Sequence, residues 1–182
     1  MVQNFMRSLW GQAVSSELKA AHRLYATGDY VRAADQYEKL ALEQEKQLSP
    51  RAPWLFLQGA RSCISVGEFP QAMKDLERGL SLLISGGSDD KAYLISQQFL
   101  TQLSALGRGD EAGELVEYLR FGLPGYSVSA IPRNVNTGQL LPTQCPTCEG
   151  PIRLIEVRWK DNQTAECPYC GNPVRVLQKA RA

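Results

Sequence analysis

The chain has 182 residues, 43% of them hydrophobic, and its formal net charge at pH 7 is +1. This length allows one domain or two small ones, with enough apolar residues for a globular core. So small a net charge excludes a general electrostatic attraction to nucleic acid or to anionic membranes. The chain has no run of 18 apolar residues, so we expect no transmembrane helix.

Residues 1–14 form an amphipathic segment, in which Phe5, Met6, Leu9 and Trp10 fall on one helical face. The segment lacks a charged stretch followed by a continuous apolar stretch, so we do not expect a secretory signal. It is interpreted as a helix that caps the following repeats, because solenoids need such a cap. A helix that docks on a partner and an interfacial membrane anchor are the alternatives.

Residues 15–121 are rich in Ala, Leu, Glu, Gln and Arg at helical spacing, and short Gly-containing breaks interrupt them. Ala33, Ala72 and Ala112 follow three of these breaks at intervals of 39 and 40 residues. A small residue at a fixed place in each unit lets two helices approach closely. The pattern predicts a mainly α fold of about three helix pairs. The predicted helices lie near residues 15–27, 30–47, 52–66, 69–85, 89–106 and 109–120.

The repeats resemble the tetratricopeptide repeat. The first unit carries the resemblance best, through the turn Gly28-Asp29-Tyr30 followed by Ala33 and Tyr37. The third unit departs from the pattern, with Gly109 where the aromatic residue belongs. The resemblance covers roughly residues 15–121, and it implies an α-solenoid that binds a protein partner.

In tetratricopeptide-like units the first helix of each pair lines an inner groove. An aromatic and aliphatic floor with one Arg suits an extended peptide or a helix. The alternatives are that Trp54 and Leu57 belong to the core, or that the linker or the N-terminal segment fills the groove. Aligning the units gives the candidate partner-binding residues Leu18, His22, Tyr25, Trp54, Leu57, Arg61, Leu94, Gln97 and Thr101.

Residues 122–142 are predicted to form an extended linker. The segment contains Tyr126, Val128 and Ile131 among its apolar residues, but only one charge. A flexible linker is usually polar and often charged. We therefore expect this segment to pack on the helices or to extend the sheet that follows.

Residues 143–182 contain the strongest motif in the chain. Two knuckles, Cys145-Pro146-Thr147-Cys148 and Cys167-Pro168-Tyr169-Cys170, are separated by 18 residues. This is the spacing of a zinc ribbon, in which two tight turns supply four thiolates to one tetrahedral ion. The sequence predicts strands over 152–159, 164–166 and 173–177, and hence a small β zinc ribbon.

Other interpretations of the four cysteines are open. Cys-Pro-Tyr-Cys alone resembles the redox motif of glutaredoxins, which needs a helix after its first cysteine. Gly171-Asn172-Pro173 argues against a helix there. Four sulfur ligands leave no open position, so the predicted site is structural, and iron is the alternative metal because the same tetrahedron accepts it. Reduced, metal-binding cysteines favour a cytoplasmic location.

Helical repeats followed by a rubredoxin-like four-cysteine ribbon resemble the layout of bacterial assembly and scaffold proteins. The sequence contains neither a Gly-rich phosphate loop nor a Gly-x-Ser-x-Gly elbow, and His22 is its only histidine. We therefore predict a non-enzymatic adaptor or assembly factor with a protein partner.

The alternative function is binding of nucleic acid through the ribbon. Residues 122–182 carry seven Lys or Arg against four Asp or Glu, whereas residues 1–121 carry 13 against 15. A nucleic-acid footprint is usually more basic than this, so solvated cations on a half-buried sheet are the preferred interpretation. The cations concerned are Arg153, Arg158, Lys160, Arg175, Lys179 and Arg181, interleaved with Trp159.

Overall fold

The structure is a computed structural model, and it describes residues 14–123 and 140–177. The six predicted helices are confirmed, with ends that differ from the predictions by no more than two residues. The N-terminal segment, most of the linker, Lys179 and Arg181 lie outside the described residues. The helices are α1 (Ser16–Ala26), α2 (Tyr30–Lys46), α3 (Ala52–Val66), α4 (Phe69–Ser85), α5 (Asp89–Ala105) and α6 (Gly109–Gly122).

The five turns between these helices share one hydrogen-bond pattern. In each turn, a residue in the left-handed conformation donates its N–H to the carbonyl of the residue three positions earlier. The next residue donates its N–H to the carbonyl of the residue five positions before it. This is the Schellman arrangement, which satisfies the last carbonyls of a helix and favours glycine at the left-handed position. Four of the turns use Gly28, Gly67, Gly87 and Gly107, and the turn from α2 to α3 uses Leu48, with φ of 53°.

Helix α3 is the central helix of the fold, since every residue from 52 to 64 is buried. Gly79 of α4 allows the close approach on one side, because a Cβ there would lie 2.9 Å from Cγ of Leu57. Ala33 and Ala72, two of the recurring alanines, are buried as well, whereas Ala112 is half-buried. Burial of α3 extends to its polar residues Gln58 and Arg61.

The C-terminal part contains a three-stranded antiparallel sheet in the order β1-β2-β3. Trp159 of β1 lies opposite Ala165 of β2, and Ala165 in turn lies opposite Val174 of β3. At the described end of the linker, the carbonyl of Leu140 accepts a hydrogen bond of 2.7 Å from the N–H of Leu177. The strands are β1 (Arg158–Trp159), β2 (Thr164–Glu166) and β3 (Pro173–Arg175).

The prediction of a strand over 152–159 is wrong for residues 152–157. Residues 154–156 lie in a turn, and the N–H groups of Glu156 and Val157 donate to the carbonyl of Arg153. In a strand, residues three apart point to opposite faces. The turn instead brings the side chains of Arg153 and Glu156 together against α3. The predicted third strand is also shorter, and it ends at Arg175.

Within residues 14–123 and 140–177, none of the helices combines the length and the apolar character that crossing a membrane requires.

Candidate metal centre

The two cysteine knuckles are built alike. The N–H of Cys145 donates to the carbonyl of Gly150 at 2.8 Å, and the N–H of Cys167 donates to that of Asn172 at 2.9 Å. Four residues after the first cysteine of each knuckle, the chain adopts a positive φ, at Glu149 and at Gly171. The two turns therefore present their sulfurs in the same way.

The four sulfurs form a compact buried cluster. Sγ of Cys145 lies 3.8 Å from that of Cys170, Sγ of Cys148 lies 3.7 Å from that of Cys167, and all four lie within 4.8 Å of one another. A tetrahedral ion with metal–sulfur bonds of about 2.3 Å has sulfur–sulfur edges of about 3.8 Å. The cluster therefore fits one metal ion with all four positions taken by protein ligands.

Two details agree with a structural site. Nδ2 of Asn172 donates to Sγ of Cys170 at 3.5 Å, an outer contact of the kind that orients a metal ligand. Cys63, the fifth cysteine, is not part of the cluster. Burial raises the pKa of the Cys63 thiol to about 12, so this thiol stays protonated and behaves as an apolar core group.

A buried polar network joins the metal centre to α3. Nη2 of Arg61 donates to Oε1 of Glu156 at 2.6 Å, with Glu156 only 1% exposed and Arg61 8%. Both Nη1 of Arg153 and the hydroxyl of Tyr169 donate to Oε1 of Gln58, at 3.1 and 3.2 Å. Burial raises the pKa of Tyr169, so its hydroxyl remains a donor at neutral pH. Since Tyr169 lies between Cys167 and Cys170, the second knuckle contacts α3 directly.

Helix α1 contacts the ribbon through His22, which lies beside both knuckles. The imidazole lies edge-on to the ring of Tyr169, at 4.9 Å between centroids, and Nδ1 shares a hydrogen bond of 2.7 Å with the hydroxyl of Tyr37. A Cβ on Gly150 would lie 2.7 Å from Nε2 of His22, so only glycine fits there. Burial lowers the pKa of His22 to about 4, which leaves the imidazole neutral at physiological pH. Its Nε2 and Nε2 of Gln58 have no hydrogen-bond partner within the described part of the chain.

Helix α5 makes the third contact. Nζ of Lys91 donates to the carbonyls of Glu156 and Val157, at 3.2 and 2.9 Å, and lies 5.3 Å from the ring centroid of Trp54. The ribbon is therefore held by the first helix of each of the three helix pairs.

The predicted partner-binding residues have different surroundings. Leu18, His22, Trp54, Leu57 and Arg61 are buried, and of these His22 and Arg61 contact the ribbon. The ribbon covers α1 and α3 at these two positions. The occupants considered for the groove were a protein partner, the linker and the N-terminal segment, but not the ribbon. Trp54 and Leu57 lie in the hydrophobic core, as the alternative interpretation held. The remaining candidates are exposed or half-buried, namely Tyr25, Leu94, Gln97 and Thr101.

The sequence analysis missed four residues that hold the ribbon: Gln58, Lys91, Glu156 and Tyr169. A signal was present, because Gln58 and Arg61 are large polar residues three apart in a mainly apolar helix. A polar pair of this kind marks either a groove or a buried network, and only the structure distinguishes the two.

Three of the six cations considered for nucleic acid are engaged within the protein. Arg153 belongs to the buried network. Arg158 and Lys160 both pair with Glu166, at 2.7 and 2.9 Å, which neutralises part of their charge. Arg175 is exposed.

The chain matches no protein-family model, no curated protein and no solved structure. Its function has to be inferred from its own geometry: four cysteines that can hold a metal ion, in a ribbon that closes one face of a helical array.

Proposed function

We propose that the protein is a non-enzymatic adaptor or assembly factor whose ribbon is held together by a structural zinc ion. The structural role proposed for the ribbon rests on one observation, which is the direct contact between the knuckles and the helices through Tyr169 and Gly150. A ribbon of this size cannot bury enough surface to fold alone. A structural zinc site contributes on the order of 10 kcal/mol, which makes metal binding part of folding.

Zinc is proposed rather than iron because the spacing of the two knuckles is typical of zinc sites, and the closed centre makes the ion structural. All four sulfurs are buried, and the ribbon is packed against the helices. Such a site suits a metal that holds the fold and leaves no position for a substrate. Thiolates reduced and bound to metal also favour the cytoplasm.

Elemental analysis of protein purified without added metal tests the zinc assignment. We expect one zinc per chain, lost in the double variant Cys145→Ser/Cys167→Ser and retained in Cys63→Ser. Absence of a stoichiometric metal, or its full retention in the double variant, would contradict the assignment.

The adaptor function is supported by the resemblance of residues 15–121 to protein-binding repeats and by the pairing of charges on the ribbon. The intact, metal-loaded protein should form a saturable complex of fixed stoichiometry with a protein from its own source, reproducible from purified components. If the intact protein forms no such complex, or instead binds nucleic acid below about 10⁻⁶ M at physiological salt, the adaptor function is wrong.

A further inference from the structure

A cleft of about 1050 Å³ lies where the turn from α2 to α3, the turn from α4 to α5 and the ribbon meet. Leu48 and Arg51 border it from the first turn, Lys91 from α5, and Pro168 from the second knuckle. The cleft is therefore a feature of the docked form, since it needs both the helices and the ribbon.

The cleft is lined by three carboxylates and by three cations, which are Arg51, Lys91 and Arg158. Each carboxylate that lines it already has a cation as its partner. These pairs are Glu45–Arg78, Glu156–Arg61 and Glu166–Arg158. Arg51 and Lys91 also line the cleft, and neither forms a salt bridge with any carboxylate in residues 14–123 or 140–177.

Arg51 and Lys91 retain free donors. A Cβ on Gly171 would lie 2.9 Å from Nη2 of Arg51, so the guanidinium packs against the second knuckle. Among the described residues, no acceptor receives a hydrogen bond from that guanidinium. Lys91 uses two of its three N–H groups on backbone carbonyls. An anionic group in the cleft would thus meet two cations that form no salt bridge with a carboxylate in the described part of the chain.

Leu48, at the edge of the cleft, is an unusual residue for its position. It holds the left-handed conformation that glycine holds in the other four turns, and its side chain is 92% exposed. A side chain with a Cβ is strained there, and an exposed leucine gains nothing from the core to offset that strain. The exposure leaves the Leu48 side chain available for an apolar contact at the edge of the cleft.

We propose that this cleft binds an acidic segment of a partner protein, in which an apolar side chain lies beside the carboxylates. The guanidinium of Arg51 would take a carboxylate in two parallel hydrogen bonds, and Lys91 would add its free N–H and its charge. Leu48 would cover the apolar side chain. The inference rests on the adaptor function proposed above, and it adds the chemistry of the partner and the place where it binds.

Two pools of fluorescein-labelled octapeptides test this binding by fluorescence anisotropy with the intact, zinc-loaded protein. One pool is made of Asp, Glu, Leu and Phe, and the other replaces every Asp and Glu by Asn and Gln. We expect the acidic pool to bind at least about tenfold more tightly, and Arg51→Gln to remove about tenfold of its affinity. Leu48→Gly should weaken binding severalfold, yet leave the melting temperature unchanged or raise it by about 2 °C, because it relieves the left-handed strain.

Matched variants separate this role from a structural one. Leu106→Ala removes an exposed leucine from the turn between α5 and α6, and Arg175→Gln removes an exposed cation, so both should leave the affinity unchanged. If Arg51 only offsets the charge of the thiolates, Arg51→Gln will lower the zinc content without changing the preference for acidic peptides, and the inference is overturned.

The two proposals fail differently. Equal affinity for both pools overturns the acidic cleft but leaves the adaptor function standing, provided that a stoichiometric protein complex forms and is insensitive to Arg51→Gln. If no protein complex forms at all, the adaptor function is wrong, and the inference fails with it.

Discussion

Asp75 makes the stability of this protein depend on pH in an unusual direction. It lies in α4, is only 3% exposed, and packs so closely on α3 that a Cβ at Gly59 would lie 2.9 Å from its Oδ2. Burial, assisted by the charge of Glu38, raises the pKa of Asp75 from 3.8 to about 7, although a hydrogen bond from Gln71 and the charge of Lys74 act in the opposite direction.

The sign follows from proton binding. Because the folded protein holds the Asp75 proton up to about pH 7 and the unfolded chain releases it near pH 3.8, folding is favoured by low pH. The contribution of Asp75 to the free energy of unfolding is fully present below about pH 3.8 and falls by about 1.4 kcal/mol per pH unit until pH 7. The difference of about 3 units corresponds to ~4 kcal/mol, of which ~2 kcal/mol is lost between pH 5.5 and 7.

The variant Asp75→Asn tests this reasoning, because the amide keeps an acceptor for Gln71 but cannot ionise. Urea unfolding followed by helical circular dichroism from pH 5.5 to 8 gives the free energy of unfolding of both proteins. As the pH rises across this range, we expect the free energy of unfolding of Asp75→Asn to increase by ~2 kcal/mol relative to that of the parent. The exposed control Asp110→Asn should show no such increase. A difference between parent and Asp75→Asn that stays constant with pH would refute the assignment.

Three further predictions concern the ribbon and the core. Removing the metal with a chelator should increase hydrogen exchange in α3 and the ribbon but not in α6, because only the first two share the buried network; equal increases everywhere would contradict a docked ribbon. Glu156→Gln leaves Arg61 buried without its counter-charge and should cost about 3–5 kcal/mol in urea unfolding, whereas Glu149→Gln, in an exposed pair with Arg23, should change the stability far less. Trp54→Ala should cost about 3–5 kcal/mol, and a variant as stable as the parent would show that Trp54 is not a core residue.

The helices could be predicted because their signals are local. Apolar spacing and the glycines at the turns lie within each helix and its neighbours, so the ends agree with the predictions to within two residues. The four cysteines were equally predictable, because ligand type and spacing are readable from the chain alone.

The failed prediction at residues 152–157 has a long-range cause. Alternating apolar residues favour a strand there, but Glu156 lies 95 residues from its partner Arg61 along the chain. The same long separation along the chain explains why the sequence did not predict that the ribbon covers part of the groove. The repeat alignment identified Arg61 as facing inward, yet nothing near it in sequence indicates that the ribbon covers it.

The central position of α3 has a consequence for synthesis. Its polar face is closed by Tyr169 and Glu156, which follow the end of the helix by about 100 residues. At 5–20 residues per second, a ribosome needs roughly 5–20 s to make that stretch, and the knuckles must then acquire their ion. Until then Arg61 has no counter-charge from the ribbon, so a nascent or metal-starved chain presents an uncovered face of α3 to chaperones and proteases. Metal supply would in this way set how much of the newly made protein survives.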